Sequence, residues 1–360
     1  RFVFLTALCL VCVIVDDRLL GLVNDQETTI LHDVLLDHPQ QKFGFDNQAI
    51  STVKETSLER INVASSGQGH YFLGLQGMVR SLLKHTETPG WLTVHIFCET
   101  PTVENNASLF VWNRYEIWRS QMMELFPGFE MHFYNVSREE LLPFLPKQLA
   151  VERLGATTNY ARFVLHEKLP DVSYCVWMDS DIVVANDIVV WGLQNMPFDK
   201  ALAAFPRNES EKRKIKKKGV ISTYDHAYQR LRAWGVDVSP FSNPRFNAGL
   251  VIFNLDYWRH HSALICTIIE ICEFNRNQTP PLHLSGSQAP LHYVFSGERF
   301  HHLNPMELIA SSEKKEWKRI SYDPVTFLHY KDIVKPWELN AEKNSALGPY
   351  VHFWRNLSTF

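Results

Sequence analysis

Val176-Trp-Met-Asp-Ser-Asp-Ile-Val-Val184 is the stretch on which the fold turns. The apolar, β-branched and aromatic residues around its two carboxylates have the character of a buried strand. Extended residues i and i+2 share a side, so the spacing predicts that Asp179 and Asp181 present their oxygens together where the strand ends. In open α/β sheets that carboxyl edge is where ligands bind. Two hard anionic oxygens side by side suit Mg²⁺ or Mn²⁺, and such cations commonly share their coordination with phosphate oxygens. An Asp-x-Asp by itself is common. Its place after an apolar strand gives it weight, and a third ligand would give it more.

That third ligand is sought in Thr326-Phe-Leu-His-Tyr-Lys-Asp-Ile-Val-Lys-Pro-Trp337. The apolar run Val325 to Leu328 reads as a short strand ending on His329, and Lys335 precedes a Pro-Trp that stiffens the loop. An imidazole beside two carboxylates makes an oxygen/nitrogen set suited to Mn²⁺. A lysine nearby would meet a diphosphate as a point charge. The plainer reading is a solvated loop whose histidine caps a strand.

Working outward, strand and helix alternate from Ile61. The expected order is strand Ile61–Ser65, helix Tyr71–Lys84, strand Leu92–Phe97, helix Leu109–Leu125, strand Glu130–Tyr134 and a short helix near Arg138. An amphipathic helix Thr158–Lys168 then leads into the strand before Asp179. Strands Leu202–Phe205 and Gly249–Asn254 and a long helix Tyr257–Phe274 follow. Such βαβ repetition predicts an α/β fold with a mostly parallel sheet and helices on both faces.

Composition and termini bound the rest. With 360 residues and a formal net charge of −3, the chain holds one large domain and gives no reason to expect a nucleic-acid partner. Phe2 to Val15 is an apolar run, shorter than the roughly twenty residues of a full bilayer span but right for a signal anchor or signal peptide. The expected organisation is anchor 1–15, polar stem 16–59, catalytic domain 60–340 and C-terminal extension 341–360. Sequons at Asn106, Asn135, Asn208, Asn277 and Asn356 fit a secretory route. None of the six cysteines has zinc-site spacing, and Cys266 and Cys272 are too far apart on one helix to pair; core positions are expected. The basic run Lys212 to Lys218 fits either a solvated loop or the lining of an acceptor cleft.

Five segments in order resemble glycosyltransferase family 8. They are Ile61–Leu83 (INVASSGQGHYFLGLQGMVRSLL), Asn159-Tyr-Ala-Arg-Phe163, the Asp179/Asp181 strand, Phe246–Leu255 (FNAGLVIFNL) and His329–Trp337 (HYKDIVKPW). The likeness is nearest to the plant galacturonosyltransferase-like branch. It implies a glycosyltransferase-A type fold and a retaining, Mn²⁺-dependent transfer (Mg²⁺ being the other possibility) of a hexose or hexuronic acid from a UDP-sugar to a glycan or glycoconjugate acceptor. It further implies a single-pass type II protein of the Golgi or endoplasmic-reticulum lumen, held to the membrane by the N-terminal run.

The same resemblance distributes roles. Asp179, Asp181 and His329 would ligate the metal, with Asp179 and Lys335 serving the diphosphate. Ser66, Gln68 and Tyr71 would bind uridine, the tyrosine ring stacking on the base. Arg162 would reach the donor sugar or phosphate, Asn247 would donate to sugar hydroxyls, and Gln288 would lie near the reacting carbon. Four positions depart from the family pattern. Gln68 replaces a common Asp, Ser287-Gln-Ala289 replaces an Asp-Gln-Asp, and Asp332 replaces the glycine of the His329 loop. Two rivals follow: an inert relative that binds sugar or a partner, and a phosphatase using Asp179 as nucleophile.

Overall fold

The computed structural model describes residues 60–67, 71–99, 106–147, 157–196, 198–207, 224–235, 245–279, 281–283, 286–310, 326–330, 335–338, 341, 351 and 354–356. The anchor and stem, Gln68, the basic run and Asp332 lie outside them. No helix among the described residues is long and apolar enough to cross a membrane.

Among the described residues ten strands form, seven where strands were expected and three short ones, β5, β8 and β9, besides: β1 Ile61–Ser66, β2 Leu92–Glu99, β3 Glu130–Val136, β4 Tyr174–Met178, β5 Ile182–Val184, β6 Leu202–Arg207, β7 Arg245–Asn254, β8 His301–His302, β9 Leu308–Ala310 and β10 Phe327–His329. Seven make one sheet in the order β3-β2-β1-β4-β7-β6-β8, and β5-β10-β9 make a second. The pairs β3/β2, β2/β1, β1/β4 and β6/β8 are parallel, while β7 runs antiparallel to both neighbours. Strand β4 is central and wholly apolar from Cys175 to Met178, as a strand covered on both faces must be.

Four expectations need correction. Asp179 and Asp181 do not share a pleat side on one extended strand. Ile182 N–H bonds to the Asp179 carbonyl (3.0 Å), so the chain turns at Ser180–Asp181 and passes from the large sheet into the small one. The amphipathic helix Thr158–Lys168 is instead a 3₁₀ coil, Thr157–Phe163, followed by a single turn, Leu165–Lys168. With three residues per turn the coil sets Arg162 over Asn159, whose carbonyl and side-chain oxygens both accept from the guanidinium (3.1 and 2.8 Å). The long helix after β7 is two, Leu255–His260 and Ala263–Asn277. Asn254 caps the first by accepting from Tyr257 N–H (2.9 Å). Cys98, Cys175 and Cys272 are buried free thiols as expected, but Cys266 is exposed because it falls on the solvent side of the second helix.

Three buried histidines make stability depend on pH. Burial, with His132 adding repulsion, pushes His95 down to about 3; burial pushes His283 to about 3 and His292 to about 4. Each stays neutral in the native state while its unfolded counterpart gains a proton below about 6.5. Stability is therefore whole above that value and falls as pH drops toward 4, by about 1–2 kcal/mol per histidine between pH 6.5 and 5. Urea midpoints at pH 7.5 and 5 check this, and His95→Gln should shrink the difference. Equal slopes in both proteins would exclude His95 as a contributor.

Candidate active site

Two strand registers assemble the site from distant segments. Because β7 is antiparallel to β4 with Met178 opposite Leu250, Gly249 lies beside the first carboxylate; Asp179 N–H bonds to its carbonyl (2.8 Å). Because β10 pairs with β5, placing His329 opposite Ile182, the imidazole arrives beside the second; Tyr330 N–H bonds to the Asp181 carbonyl (2.9 Å). One ligand atom each from Asp179, Asp181 and His329 lies within 4.8 Å of the others.

Each aspartate has its own cation. Arg162 Nη2 donates to Asp179 Oδ1 at 2.8 Å, and the Trp177 indole N–H donates to the same oxygen at 2.9 Å. The guanidinium is also stacked 4.6 Å from the Trp177 ring and donates to the Ala248 carbonyl. Arg162 is thus buried and committed inside the protein, where it orients Asp179. Lys335 Nζ, 1% exposed, sits 2.5 Å from Asp181 Oδ2 and 2.8 Å from the Tyr330 carbonyl. Burial by itself would raise the Asp181 carboxyl, but Lys335 and then His329 overcome it and hold the group well below the usual carboxylate range.

Asn247 sets the histidine. Its Oδ1 accepts from Gly249 N–H (3.0 Å), which leaves Nδ2 facing His329 Nδ1 at 2.7 Å. In this arrangement Nδ1 accepts and the ring proton sits on Nε2, the nitrogen 3.2 Å from Asp181 Oδ1. Ligation through Nε2 needs the other tautomer, with the Asn247 amide turned to accept from Nδ1.

The donor set fits a divalent cation. Asp181 Oδ1 is shut off from solvent with His329 Nε2 3.2 Å away and no well-aligned hydrogen bond among the described residues, a place an electropositive group would fill. Gly249 keeps the space open, since a Cβ there would lie 2.5 Å from His329 Cε1 and 3.0 Å from Asp179 Oδ2. Gly249→Ala should therefore push the imidazole out of line, lowering Mn²⁺ affinity about 10–100-fold and stability by about 1–3 kcal/mol. Titration calorimetry with Mn²⁺ would detect this; an unchanged affinity would remove the site.

The remaining predicted residues are placed as follows. Ser66 ends β1, and Tyr71 opens the helix Tyr71–His85 with its ring edge toward Trp337, centroids 6.1 Å apart. Gln288 begins the helix Gln288–Phe295, half-buried, with Ser287 as the residue before it. Four residues along that helix, His292 Nε2 donates to the Phe246 carbonyl (2.9 Å), tying the helix to the strand that bears Asn247. The sequence reading missed the parts played by Trp177, Asn159 and His292. Trp177 was within reach, since it stands two residues before Asp179 on a strand; the other two depended on tertiary register.

The model for glycosyl transferase family 8 matches residues 62–341. A probable galacturonosyltransferase-like 4 of Arabidopsis thaliana is 24% identical over 306 residues, covering 82% of this chain and 78% of the relative. Glycosyltransferase 8 domain-containing protein 1 of Xenopus tropicalis is 27% identical over 192 residues, 50% of each chain. Among solved structures, the galactosyltransferase LgtC bound to donor and acceptor sugar analogues aligns with a TM-score of 0.53 at 17% identity, over 83% of this chain and 95% of that one. The bifunctional glycosyltransferase WbbM aligns with a TM-score of 0.54 at 13% identity, over 83% and 52%. At such identities the likeness gives the fold alone, which is of the glycosyltransferase-A type.

Proposed function

Since this chain belongs to glycosyl transferase family 8, we propose that it transfers a sugar from a UDP-sugar to a glycan acceptor with retention, in a pocket where Asp179, Asp181 and His329 hold Mn²⁺. The observation that carries this reading is the convergence of two carboxylates and an imidazole from segments far apart in sequence. Bound there, a divalent cation supplies Lewis-acid stabilisation of the charge on a departing diphosphate. Arg162 and Trp177 fix the Asp179 carboxylate, and Asn247 holds the imidazole ring in place, its amide turning over when Nε2 becomes the ligand nitrogen. Lys335 keeps Asp181 ionised and adds positive charge beside the leaving group.

Ser287 and Ala289 offer no carboxylate beside Gln288, so the reading calls on no protein nucleophile at that spot. The acceptor oxygen attacks the anomeric carbon on the face the diphosphate leaves. The sugar–phosphate bond breaks with its electron pair passing to the phosphate oxygen, which takes the acceptor's proton. A Golgi or endoplasmic-reticulum location, with the N-terminal run as anchor, follows from the sequence features. The sequons at Asn135, Asn277 and Asn356 are on exposed residues, as glycosylation needs.

UDP release should be measured with UDP-galacturonic acid, UDP-galactose, UDP-glucose and UDP-xylose, each with Mn²⁺ and with EDTA. One donor is expected to give Mn²⁺-dependent release at least 10-fold above the others, in line with hydrogen-bonded recognition of one sugar. Release that survives EDTA would overturn the metal-diphosphate reading.

A further inference from the structure

Each motif aspartate divides its two oxygens between the protein and the site. Asp179 Oδ1 accepts from Arg162 Nη2 (2.8 Å) and from the Trp177 indole N–H (2.9 Å). A carboxylate oxygen has about two lone-pair directions, so these two donors fill it. Oδ2 is the oxygen left for the site. A Cβ at Gly249 would lie 3.0 Å from it and 3.1 Å from His329 Nε2, so both atoms face the gap that the glycine keeps. Asp181 is divided in the same way, with Oδ2 on Lys335 Nζ (2.5 Å) and Oδ1 3.2 Å from His329 Nε2.

The indole is the firmer of the two donors to Asp179. Trp177 is wholly buried on the central strand β4, in register with Ala64 on one side and Val251 on the other. Its ring also carries the guanidinium, 4.6 Å above it, while Arg162 spends its other N–H groups on Asn159 and the Ala248 carbonyl. One side chain thus supplies both an N–H to Oδ1 and the platform for the second donor. We propose that Trp177 is a positioning residue that confines Asp179 to ligation through one oxygen, and that it thereby sets which divalent cation the site takes. This rests on the reading that Asp179, Asp181 and His329 hold such a cation. A carboxylate with both oxygens free can chelate, which suits Ca²⁺ with its roughly six to eight oxygen ligands at about 2.3–2.6 Å. One confined to a single oxygen suits smaller six-coordinate cations such as Mg²⁺ and Mn²⁺. Taking the N–H away reopens Oδ1 and relaxes that choice toward Ca²⁺.

The test is titration calorimetry of the full chain with MnCl₂ and with CaCl₂, without nucleotide or sugar, so that no transfer activity enters the readout. The unaltered chain is expected to bind Mn²⁺ at least about 10-fold tighter than Ca²⁺. His329 contributes to that preference as a nitrogen ligand, so the deciding quantity is how the ratio changes in Trp177→Phe. Phenylalanine keeps a ring under the guanidinium and lacks the N–H. The Mn²⁺/Ca²⁺ affinity ratio should fall by at least about 10-fold, the scale on which partners of metal ligands tune a site. A merely structural part for Trp177 would weaken both ions alike and leave the ratio in place. Should Trp177→Phe fail to fold, benzothienylalanine at position 177, with sulfur in place of the indole N–H and nearly the same outline, makes the same measurement. An unchanged ratio in a folded variant that still binds Mn²⁺ would overturn the proposal and leave the metal reading standing. Equal affinity of the unaltered chain for the two ions would overturn it as well. No Mn²⁺ binding by the unaltered chain would remove the metal reading and this proposal with it.

Discussion

Asp181→Ala is expected to lower turnover by at least about 10²-fold, to the level the unaltered protein shows in EDTA. The substitution removes a largely buried carboxylate whose covered oxygen Oδ1 lies 3.2 Å from the imidazole Nε2. It also leaves Lys335 buried with only the Tyr330 carbonyl, so a stability loss of about 3–5 kcal/mol should accompany it. Asp181→Asn separates the two effects, because the amide oxygen can still accept from Lys335 while its ligand charge is gone. Steady-state UDP release and urea unfolding of both variants give the answer. An active Asp181→Asn protein would exclude the role given to this carboxylate.

The second large effect is on Lys335. Lys335→Met should destabilise the metal-free protein by about 3–5 kcal/mol, because it strands the largely buried Asp181 anion without its lysine. Its pH dependence has a definite sign. In the unaltered protein the depressed Asp181 pKa supplies stability that is present above the ordinary carboxylate range and lost only as pH falls below it. In the variant that contribution is gone, so the stability difference between the two proteins should be large at pH 7 and close below about pH 4. Mn²⁺ should raise the melting temperature of Lys335→Met more than that of the unaltered chain, since a cation at the site replaces the missing charge. An equal rise in both would mean that Lys335 and the ion do not share Asp181.

Most of the architecture was legible in the sequence because it is local. A strand such as Cys175–Met178 and a helix such as Tyr71–His85 announce themselves by the period of their apolar residues, and each formed within a residue or two of its expected bounds. The alternation then required a mainly parallel sheet, and the apolar run ending on His329 offered the third ligand, a role that the resemblance also gave it. The errors fell where local pattern competes with burial. The segment Thr157–Lys168 is buried on nearly all sides, so its apolar residues carry no usable helical period. The turn at Ser180–Asp181 is fixed by the pairing of β5 with β10, and nothing within the motif signals it.

The amino-acid order alone pointed to the residues proposed to carry the chemistry: two aspartates after an apolar strand, an asparagine and glycine opening another, and a histidine and lysine near the C-terminal end. Only the tertiary structure decided how they are used. It gave Arg162 to Asp179 and Lys335 to Asp181, with the latter pair 154 residues apart in sequence, and it turned Asn247 toward the imidazole. The physical reason is that a charge taken out of water must find its counter-ion nearby in space. Which residue stands nearby is set by strand register between remote segments, a property of the folded chain rather than of any stretch within it.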